Sequence, residues 1–444
     1  MAFDPLSGLD PEHLLEREVR LSRSVLWTLL RRYYLERADS FSSGQVPMYA
    51  TSNPFVARGT AQLIAAFAED CGDEPLTIVE LGAGHGQLAF RLLQQLPDRL
   101  QRPFRYILTD ITPGSLNANR AHPRLAPFFA QGIADTALFD AENDDTIRCA
   151  RGTISAQEPC GPMVVIANYV FDSLRHDAFQ VEDGQLQEGR VTVLSEIPHP
   201  SVDDDIAMLD DLIPLFTFAS LDDDAVYKEA VRDGILNFYR QNLSGAFAFP
   251  IGAMRCLQVL QTLSRYPVLV LSLDKADNHL AQLQGRSAIH VAMHGSLSMT
   301  VNHDALARFV TAQGGDALLT SSRSGSLDNA AFVLGGNAQT RLRRVFADDI
   351  ERFSPGDYLD LYHGAVAQPL SNSLKLLRLA GWDPRWVDEM APDLIGKIGD
   401  ATDNQREELR EGLRQTDAQR FEVGSDEDSQ DATVALKAAL APDP

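Results

Sequence analysis

The chain has 444 residues, of which 44% are apolar, and its formal net charge at pH 7 is −23. This length predicts two domains or one large domain with additions. The negative charge argues against a nucleic-acid partner, because such binding depends on Lys and Arg neutralising phosphates. It favours either solubility or a basic protein substrate. The longest apolar stretches fall short of the roughly 18 residues that a membrane span needs.

The sequence gives little indication of export, of disulfide bonds or of a cysteine metal site. Acidic residues lie near the N-terminus, where a secretory signal would have a basic stretch followed by an apolar one. The four cysteines lie far apart in sequence, unlike those of zinc sites and disulfide frameworks. We therefore expect a cytoplasmic protein with reduced cysteines and neither a membrane segment nor a bound metal.

The first half of the chain predicts a helical region followed by an α/β domain. Apolar residues at helical spacing predict a helix over 10–38, and a second helix is expected at about 55–69 after a loop. From Leu76, short apolar runs alternate with helical segments, which indicates a doubly wound, Rossmann-like parallel sheet. The predicted strands are 77–81, 106–110 and 163–168, and the predicted helices are 87–96 and 115–120.

The second half predicts a hairpin, an insertion and a helical end. Strands at 178–181 and 189–194 flank a turn at Asp183 and Gly184. Residues 200–264 are acid-rich, with Asp203–Asp205 and Asp222–Asp224, and we interpret them as a helical insertion over the working edge of the sheet. The sheet is expected to resume at 267–273 and 290–293, with a helix at 304–313 and a last strand pair ending near Leu334.

From about Leu342 the pattern is helical, with clear segments at 372–379 and 405–414 and an acidic, frayed tail at 425–429. The predicted division is an N-terminal helical region 1–75, an α/β domain 76–338 and a C-terminal helical region 339–444. The apolar residues of the last region must be buried against something. They serve partner binding or self-association, or they pack on the preceding domain.

A glycine loop is the strongest functional signal. A buried strand ending in Glu80 turns through Gly82, Gly84 and Gly86 into a helix. In a doubly wound sheet, ligands bind at the carboxyl ends of the strands, and glycines let the backbone turn tightly and approach the ligand. The spacing is G-x-G-x-G, whereas dinucleotide sites have G-x-G-x-x-G. The loop therefore favours a ligand without a pyrophosphate.

A second strand ends at Asp110, 24 residues after Gly86. A carboxylate at that place can accept both hydroxyls of a ribose. The alternative is a tight turn with an unrelated surface aspartate. Because the glycine loop, Glu80 and Asp110 occur at compatible positions, we favour a cofactor site.

These residues resemble a known family. Glu80 with Gly82-Ala83-Gly84-His85-Gly86 is similar to the first motif of class I S-adenosylmethionine-dependent methyltransferases. More narrowly, the chain resembles the MidA family, whose mitochondrial members methylate an arginine of a respiratory complex I subunit and assist that complex's assembly. The narrower match rests on segments 49–55 and 167–174, on the hairpin with Arg190, and on 302–306 followed by Gly314-Gly315. Together they cover about 45–338.

The resemblance implies S-adenosylmethionine as cofactor. Its binding residues would be Thr51, Glu80, Gly82, Gly84, His85, Gly86, Asp110 and Asn168. Family members usually carry an acid where this chain has Tyr169, so the arginine substrate does not transfer with the resemblance.

Methyl transfer from a sulfonium is a direct displacement, so the enzyme aligns the acceptor and, where needed, removes its proton. Asn168, Tyr169 and Asp172 follow a strand at the ligand-binding edge and are the predicted catalytic residues. The resemblance implies that Asn168 faces the reacting centre or the amino-acid end of the cofactor. It implies that Asp172 holds the substrate or orients a neighbour, although Asp172 could merely cap a turn. His176 and His294 could act as bases or be ordinary histidines.

Three functions remain open at this point. The first is a methyltransferase acting on a protein or peptide side chain. The second is a small-molecule O- or N-methyltransferase in which residues 200–264 form a lid over a closed pocket. The third is a catalytically silent cofactor-binding assembly factor, in which Tyr169 marks lost chemistry and the C-terminal helices bind a partner.

Overall fold

The computed structural model describes residues 9–36, 48–203, 206–221, 226–293, 296–321, 327–364, 368–422 and 427–441. The strands are β1 Leu14–Arg20, β2 Leu76–Glu80, β3 Phe104–Asp110, β4 Ala134–Leu138, β5 Ile147–Cys149, β6 Gly152–Ile154, β7 Met163–Asn168, β8 Asp177–Glu182, β9 Gln185–Ser195, β10 Leu212–Ser220, β11 Gly245–Phe249, β12 Val268–Asp274, β13 Ala276–Asp277, β14 Val291–Met293, β15 Leu297–Met299, β16 Val301–Asn302, β17 Asp316–Leu319 and β18 Asp328–Leu334.

The helices complete the element order. They are α1 Val25–Glu36, α2 Met48–Ser52, α3 Pro54–Asp70, α4 Gln87–Arg99, α5 Pro113–Ala121, α6 Ala126–Gln131, α7 Ala230–Asn242, α8 Ile251–Thr262, α9 Leu280–Leu283, α10 His303–Ala312, α11 Thr340–Val345, α12 Pro355–His363, α13 Leu370–Leu379, α14 Pro384–Ile395, α15 Asp403–Gln419 and α16 Glu427–Ala439.

A seven-stranded sheet forms the centre, in the order β17-β18-β12-β7-β2-β3-β4. The five strands from β12 to β4 are parallel, and β18 runs antiparallel to both of its neighbours. The chain order reverses at β2, which has β3 on one side and β7 on the other. Such a reversal leaves a crevice at the carboxyl ends of the two central strands.

Helices cover both faces of this sheet, because its central strands are apolar on both sides. On one face, Ile78 packs in a cluster with residues of α3 and α4 such as Leu63 and Leu92. On the other face, Val79 packs with Leu257 of α8 and Phe309 of α10 in a second cluster. The predicted doubly wound α/β fold is confirmed.

A second, antiparallel sheet corrects the prediction for the N-terminus. Its order is β1-β9-β8-β11, with β10 also paired to β9. The predicted hairpin is confirmed as β8 and β9, but residues 14–20 form a strand along β9 where a helix was expected. The helix begins only at Val25. Strand pairing overrides the helical spacing here, and Arg20 is held by the buried carboxylate of Asp177 at 2.7 Å.

The insertion is mixed in structure, so its wholly helical prediction is wrong. It contributes β10, which pairs along the length of β9, and β11, which pairs with β8. Between and after them lie α7 and α8. The acidic residues Asp204, Asp205 and Asp222–Asp224 lie outside the described residues.

Two further expectations need correction. Residues 291–293 do not continue the main sheet, because β14 pairs with β15 in a separate hairpin. The acidic tail is helical from Glu427, where fraying was predicted, since α16 packs on α14 with Leu436 buried in the core of the C-terminal helices. Residues 425 and 426 of the predicted tail lie outside the described residues.

The C-terminal helices share their core with the preceding residues. Trp386 is fully buried at the centre of a cluster that also contains Phe55 of α3, which stacks on Tyr358 with ring centroids 4.9 Å apart. Phe421 stacks on His122 with centroids 3.8 Å apart. These contacts agree with packing on the preceding domain. Within the described ranges, no helix is both long and apolar enough to cross a bilayer.

Candidate active site

A cavity of about 430 Å³ opens at the point where the strand order reverses. The carboxyl ends of β2, β3, β4 and β7 form its floor, and α2 forms one wall. Of the predicted site residues, nine line it together: Thr51, Glu80, Gly82, Gly84, His85, Asp110, Asn168, Tyr169 and Asp172. Residues from distant parts of the sequence therefore meet at one place, as the order of the sheet requires.

The glycine loop is shaped for close approach of a ligand. Gly82, Gly84 and Gly86 have φ values of +59°, +51° and +77°, a region that favours glycine. A Cβ on Gly82 would lie 3.4 Å from Val170 Cγ2. Gly86 does not line the cavity, although a cofactor role was predicted for it. It precedes α4 and leaves room for Asn119, whose Oδ1 would lie 2.8 Å from an added Cβ.

Asp110 ties the glycine loop to the neighbouring strand. Its Oδ2 accepts a hydrogen bond from the Gly84 N–H at 3.1 Å, and its Oδ1 accepts bonds from the N–H and hydroxyl of Thr112 at 2.9 and 2.7 Å. Burial raises the pKa of this carboxyl, although the bonds from Thr112 and Gly84 oppose the shift. With these lone pairs in use, Asp110 has less capacity for ribose hydroxyls than the two-hydroxyl prediction required.

Glu80 is buried at the end of β2. Its Oε2 accepts a hydrogen bond of 2.8 Å from the Tyr106 hydroxyl. Burial raises the pKa of Glu80 to about 8, a shift that the Tyr106 bond opposes and the nearby charge of Asp110 increases. Glu80 can therefore donate or accept a hydrogen bond at the cavity near neutral pH.

Asn168 connects the end of β7 to α2. Its amide donates a hydrogen bond to the Thr51 carbonyl oxygen at 3.3 Å. His85 is half-buried, and its Nδ1 lies 3.4 Å from the sulfur of Met48, also on α2. The α2 segment thus contacts both the glycine loop and Asn168, the first of the three predicted catalytic residues.

The loop after β7 has a strained backbone. Tyr169 has φ +51°, which is uncommon for a residue with a side chain, and its N–H donates to the Leu273 carbonyl oxygen at 3.1 Å. Three residues later, Asp172 is buried and its Oδ1 accepts a hydrogen bond of 2.9 Å from the Ser173 hydroxyl. Burial raises the pKa of Asp172 to about 6. Strain of this kind is concentrated at functional sites.

The roof of the cavity is not the one that the sequence predicted. Trp27, Leu30 and Tyr34 of α1 face the cavity from one side, and residues such as Ala292 and Ser298 of the β14–β15 hairpin face it from another. None of the described residues of 200–264 lines it. The described part of that segment therefore forms no lid: β10 and β11 belong to the second sheet, and α7 packs against α10.

Two ion pairs fix the side of the cavity near β4. Arg31 of α1 pairs with Asp140. The guanidinium of Arg175 pairs with Glu142, and the backbone N–H of Arg175 also donates to Glu142 Oε1 at 2.6 Å. Burial raises the pKa of Glu142, and the bond from the Arg175 backbone opposes that shift. These pairs join the roof and the catalytic loop to the sheet.

One of the two predicted histidine bases, His176, does not line the cavity. His176 is fully buried, its Nδ1 lies 2.7 Å from the Leu174 carbonyl oxygen, and its ring stacks on Trp27 with centroids 6.0 Å apart. Burial lowers its pKa to about 4, so it is neutral near pH 7. His294 lies outside the described residues.

Sequence reasoning missed several lining residues. Asp140 follows β4 and Lys275 follows β12, at the same edge of the sheet as Asp110 and Asn168. Asp274, which ends β12, is fully buried and does not line the cavity. A systematic list of the polar residues after each strand would have found them. The aromatic residues of α1 gave no signal beyond that of an amphipathic helix.

The cavity fits S-adenosylmethionine in two respects. Gly82 and Gly84 line it with positive φ values, and the carboxyl-bearing residues at the ends of β2 and β3, Glu80 and Asp110, line it as well. The nucleoside part of the cofactor would bind where the strand order reverses, at Glu80, Gly82, Gly84 and Asp110.

Comparisons with known proteins point to the same chemistry. Residues 56–249 match a family described as "Putative S-adenosyl-L-methionine-dependent methyltransferase". This match bears out the predicted enzyme class and the predicted cofactor. No curated protein matches the sequence.

Two of the solved structures that match this chain are described as methyltransferases. One, from Burkholderia thailandensis, is described as a "likely methyl transferase" bound to S-adenosyl-homocysteine; it has 17% identity and a TM-score of 0.47 over 74% of this chain and 91% of that chain. The other is the N-methyltransferase NodS of Bradyrhizobium japonicum in complex with S-adenosyl-L-homocysteine, with 10% identity and a TM-score of 0.32 over 70% of this chain and 98% of that one.

Proposed function

We propose that this protein transfers a methyl group from S-adenosylmethionine to a nitrogen or oxygen nucleophile that binds beneath α1, beside Asn168 and Asp172. The observation that carries the proposal is the meeting of two loops at one cavity. The glycine loop at 82–86 supplies a cofactor cradle, and the loop at 168–173 brings polar side chains to the same cavity. Alignment of this kind supplies much of the catalysis of a displacement reaction.

The residues have separate tasks in this proposal. When bound, S-adenosylmethionine supplies an electrophilic methyl group. Asn168 is fixed by its bond to the Thr51 carbonyl and presents its amide oxygen as an acceptor for a donor group of a ligand. Asp172 lines the cavity and can take a proton from the acceptor, since burial places its pKa at about 6. The apolar roof excludes water from the transfer.

The class of acceptor is the finer part of the proposal. The roof formed by Trp27, Leu30 and Tyr34 favours a small molecule, because aromatic and apolar walls are typical of small-ligand pockets. The resemblance to the MidA family and the net charge of −23 favour a basic protein side chain inserted into the same cavity. We propose the small molecule first, with the protein side chain as the second candidate.

The deciding experiment is transfer of a radiolabelled methyl group. The purified protein is incubated with methyl-labelled S-adenosylmethionine and lysate separated into protein and small-molecule fractions, and Asp172→Asn is the control variant. Label in the small-molecule fraction supports the first candidate, and label in protein supports the second. Binding of S-adenosylhomocysteine without transfer to any fraction would favour the silent assembly factor and overturn the proposal.

The remaining expectations are also proposals. We propose action in the cytoplasm, where the free cysteines would stay reduced. We retain the division at 1–75, 76–338 and 339–444. A partner of the C-terminal helices, or self-association through them, is tested by light scattering of the full chain. A strictly monomeric chain that captures no partner would contradict that role.

A further inference from the structure

A second cavity of about 210 Å³ lies where the C-terminal helices meet α3 and α4. Its lining includes Arg58 of α3, Arg91 of α4, Leu379 of α13 and Gln419 of α15, and it shares no described residue with the candidate active site. A Cβ added to Gly381, which also lines it, would meet nothing within 4 Å. A cavity of this size suits a ligand smaller than a drug-sized molecule.

The charge of the second cavity is opposite to that of the whole chain. The net charge of the chain is −23, yet the described residues that line this cavity include two arginines and no Asp or Glu. Within the described part of the chain, neither arginine is in an ion pair. Arg91 donates to the Ser52 carbonyl oxygen, and the guanidinium carbon of Arg58 lies 5.3 Å from the centroid of the Phe55 ring. Because a guanidinium has five N–H groups, both retain donors for a ligand.

Arg91 carries a charge that the protein compensates only in part. Its exposed fraction is 4%, and its Nε has no hydrogen-bond partner among the described residues. Burial lowers the pKa of Arg91, and the charge of Asp383 opposes that shift. The Asp383 carboxylate already accepts hydrogen bonds from the hydroxyls of Tyr49 and Tyr358. A buried charge is costly unless it is paired, so an anion in the cavity would supply a partner that Arg91 lacks.

Arg91 also connects the second cavity to the candidate active site. Its acceptor, Ser52, belongs to α2, and the Ser52 hydroxyl donates a hydrogen bond of 2.7 Å to Gln87 Oε1. Both Ser52 and Gln87 line the candidate active site. Gln87 begins α4 and lies about one helical turn before Arg91. A ligand that fixes the Arg91 side chain would therefore also fix this wall.

From this geometry we propose that the second cavity binds a small anion with a carboxylate or phosphate group, held by Arg58 and Arg91, and that this anion strengthens cofactor binding. Arginine binds both groups through charge-assisted hydrogen bonds, often two at a time. Because Arg91 holds α2 through Ser52, the anion should favour the arrangement of α2 that binds the cofactor. The anion site stands without the function proposed above, whereas its effect on the cofactor rests on that function.

Calorimetric titration of the cofactor-free full chain tests the site. Inorganic phosphate and succinate are the two probes, at constant ionic strength, and they distinguish a phosphate ligand from a carboxylate ligand. We expect saturable binding of at least one probe to the wild type. Arg58→Gln should bind it at least about tenfold more weakly, because charge-assisted hydrogen bonds are lost. The control Arg344→Gln removes the same charge from a side chain on α11 that is 83% exposed, and it should bind like the wild type.

A second pair of variants tests the cavity without removing an arginine. Leu379 lines the cavity and is 41% exposed, so its replacement should leave the fold intact. Leu379→Glu should abolish binding of the probe because it adds a like charge, whereas Leu379→Gln has nearly the same size and should retain binding. Absence of saturable binding of either probe to the wild type would overturn the proposal. Equal binding by the wild type, Arg58→Gln and Leu379→Glu would overturn it as well.

Titration with S-adenosylhomocysteine tests the connection between the two cavities. A saturating probe should raise the affinity for S-adenosylhomocysteine at least about fivefold, and S-adenosylhomocysteine should raise the affinity for the probe by the same factor. Arg58→Gln should reduce both effects. An affinity for S-adenosylhomocysteine that does not change when the second cavity is saturated would refute the connection. A protein that binds the probe but not S-adenosylhomocysteine would refute the proposed function and leave the anion site intact.

Discussion

The Tyr49 hydroxyl donates a hydrogen bond of 2.8 Å to Asp383, a residue 334 positions further along the chain. Tyr49 belongs to α2, which forms a wall of the cavity through Met48, Thr51 and Ser52. Asp383 caps α14 through the Arg385 N–H. The C-terminal helices therefore support the cofactor side of the cavity, although they contribute no described residue to its lining.

Removal of this hydrogen bond should weaken cofactor binding. In Tyr49→Phe, Asp383 keeps the Tyr358 hydroxyl at 3.0 Å but loses one of its two phenol donors. Hydrogen bonds to charged groups contribute about 1.5 to 3 kcal/mol, so we expect a loss of stability in that range and weaker binding of S-adenosylhomocysteine. Thermal unfolding and calorimetry measure the two effects.

Tyr266→Phe is the matched control for Tyr49→Phe. The Tyr266 hydroxyl donates to Glu74 Oε1 at 2.7 Å on the exposed surface, away from the cavity. This control should bind S-adenosylhomocysteine like the wild type. Equal affinities for all three proteins would contradict the coupling between the C-terminal helices and the cavity.

A methyl group on Gly82 should block the cofactor. Gly82→Ala adds a Cβ 3.4 Å from Val170 Cγ2 in a loop that lines the cavity, and it adds the cost of a positive φ. We therefore expect at least a tenfold loss of S-adenosylhomocysteine affinity, or about 1.4 kcal/mol. Gly184→Ala, in the turn between β8 and β9, is the control for a general loss of stability at a positive φ, because Gly184 has φ +72° and nothing lies within 4 Å of its added Cβ. An equal loss of affinity in both variants would show that backbone strain, and not the cradle, is responsible.

Glu80 should make stability depend on pH. Its pKa is about 8 in the folded protein, raised mainly by burial above an ordinary value of 4.5. The folded state thus binds the proton more tightly than the unfolded state, and the contribution of Glu80 to stability is complete below about pH 4.5 and lost as the pH rises through 8. In Glu80→Gln, the unfolding temperature should fall less between pH 5 and 9 than in the wild type.

The control for this experiment is Glu182→Gln, which changes an exposed side chain at the end of β8. Its unfolding temperature should follow the pH dependence of the wild type. Parallel curves for all three proteins would show that Glu80 is not the buried acid that its surroundings indicate.

The sequence predicts those parts of the fold and of the site that depend on residues close together in the chain. The strand at 76–80, the glycine loop and Asp110 are local patterns, so their elements and their meeting at one edge were predictable. The strand at 14–20 was not, because its partner lies in β9 and its apolar spacing also suits a helix. Local propensity decides little where distant strands pair.

The candidate site likewise has a part that the sequence predicts and a part that depends on distant contacts. Residues at the ends of the parallel strands follow from the topology, and eight predicted ones at or just after β2, β3 and β7 do line a single cavity. The roof depends on how α1 crosses that edge after β1 has joined the second sheet, which no local signal encodes.

The last prediction concerns which segment closes over the ligand. Because Trp27, Leu30 and Tyr34 line the cavity while no described residue of 200–264 does, S-adenosylhomocysteine should slow amide exchange in α1 and in the glycine loop. Exchange in β10 and α7 should be unchanged, since β10 belongs to the second sheet and α7 packs against α10. Hydrogen–deuterium exchange with peptide resolution measures both. The Leu35→Ala variant, which removes a side chain 47% exposed on the same helix, should show the same protection as the wild type. Protection of 206–249 without protection of α1 would restore the insertion as the lid and remove the basis for placing the acceptor beneath α1.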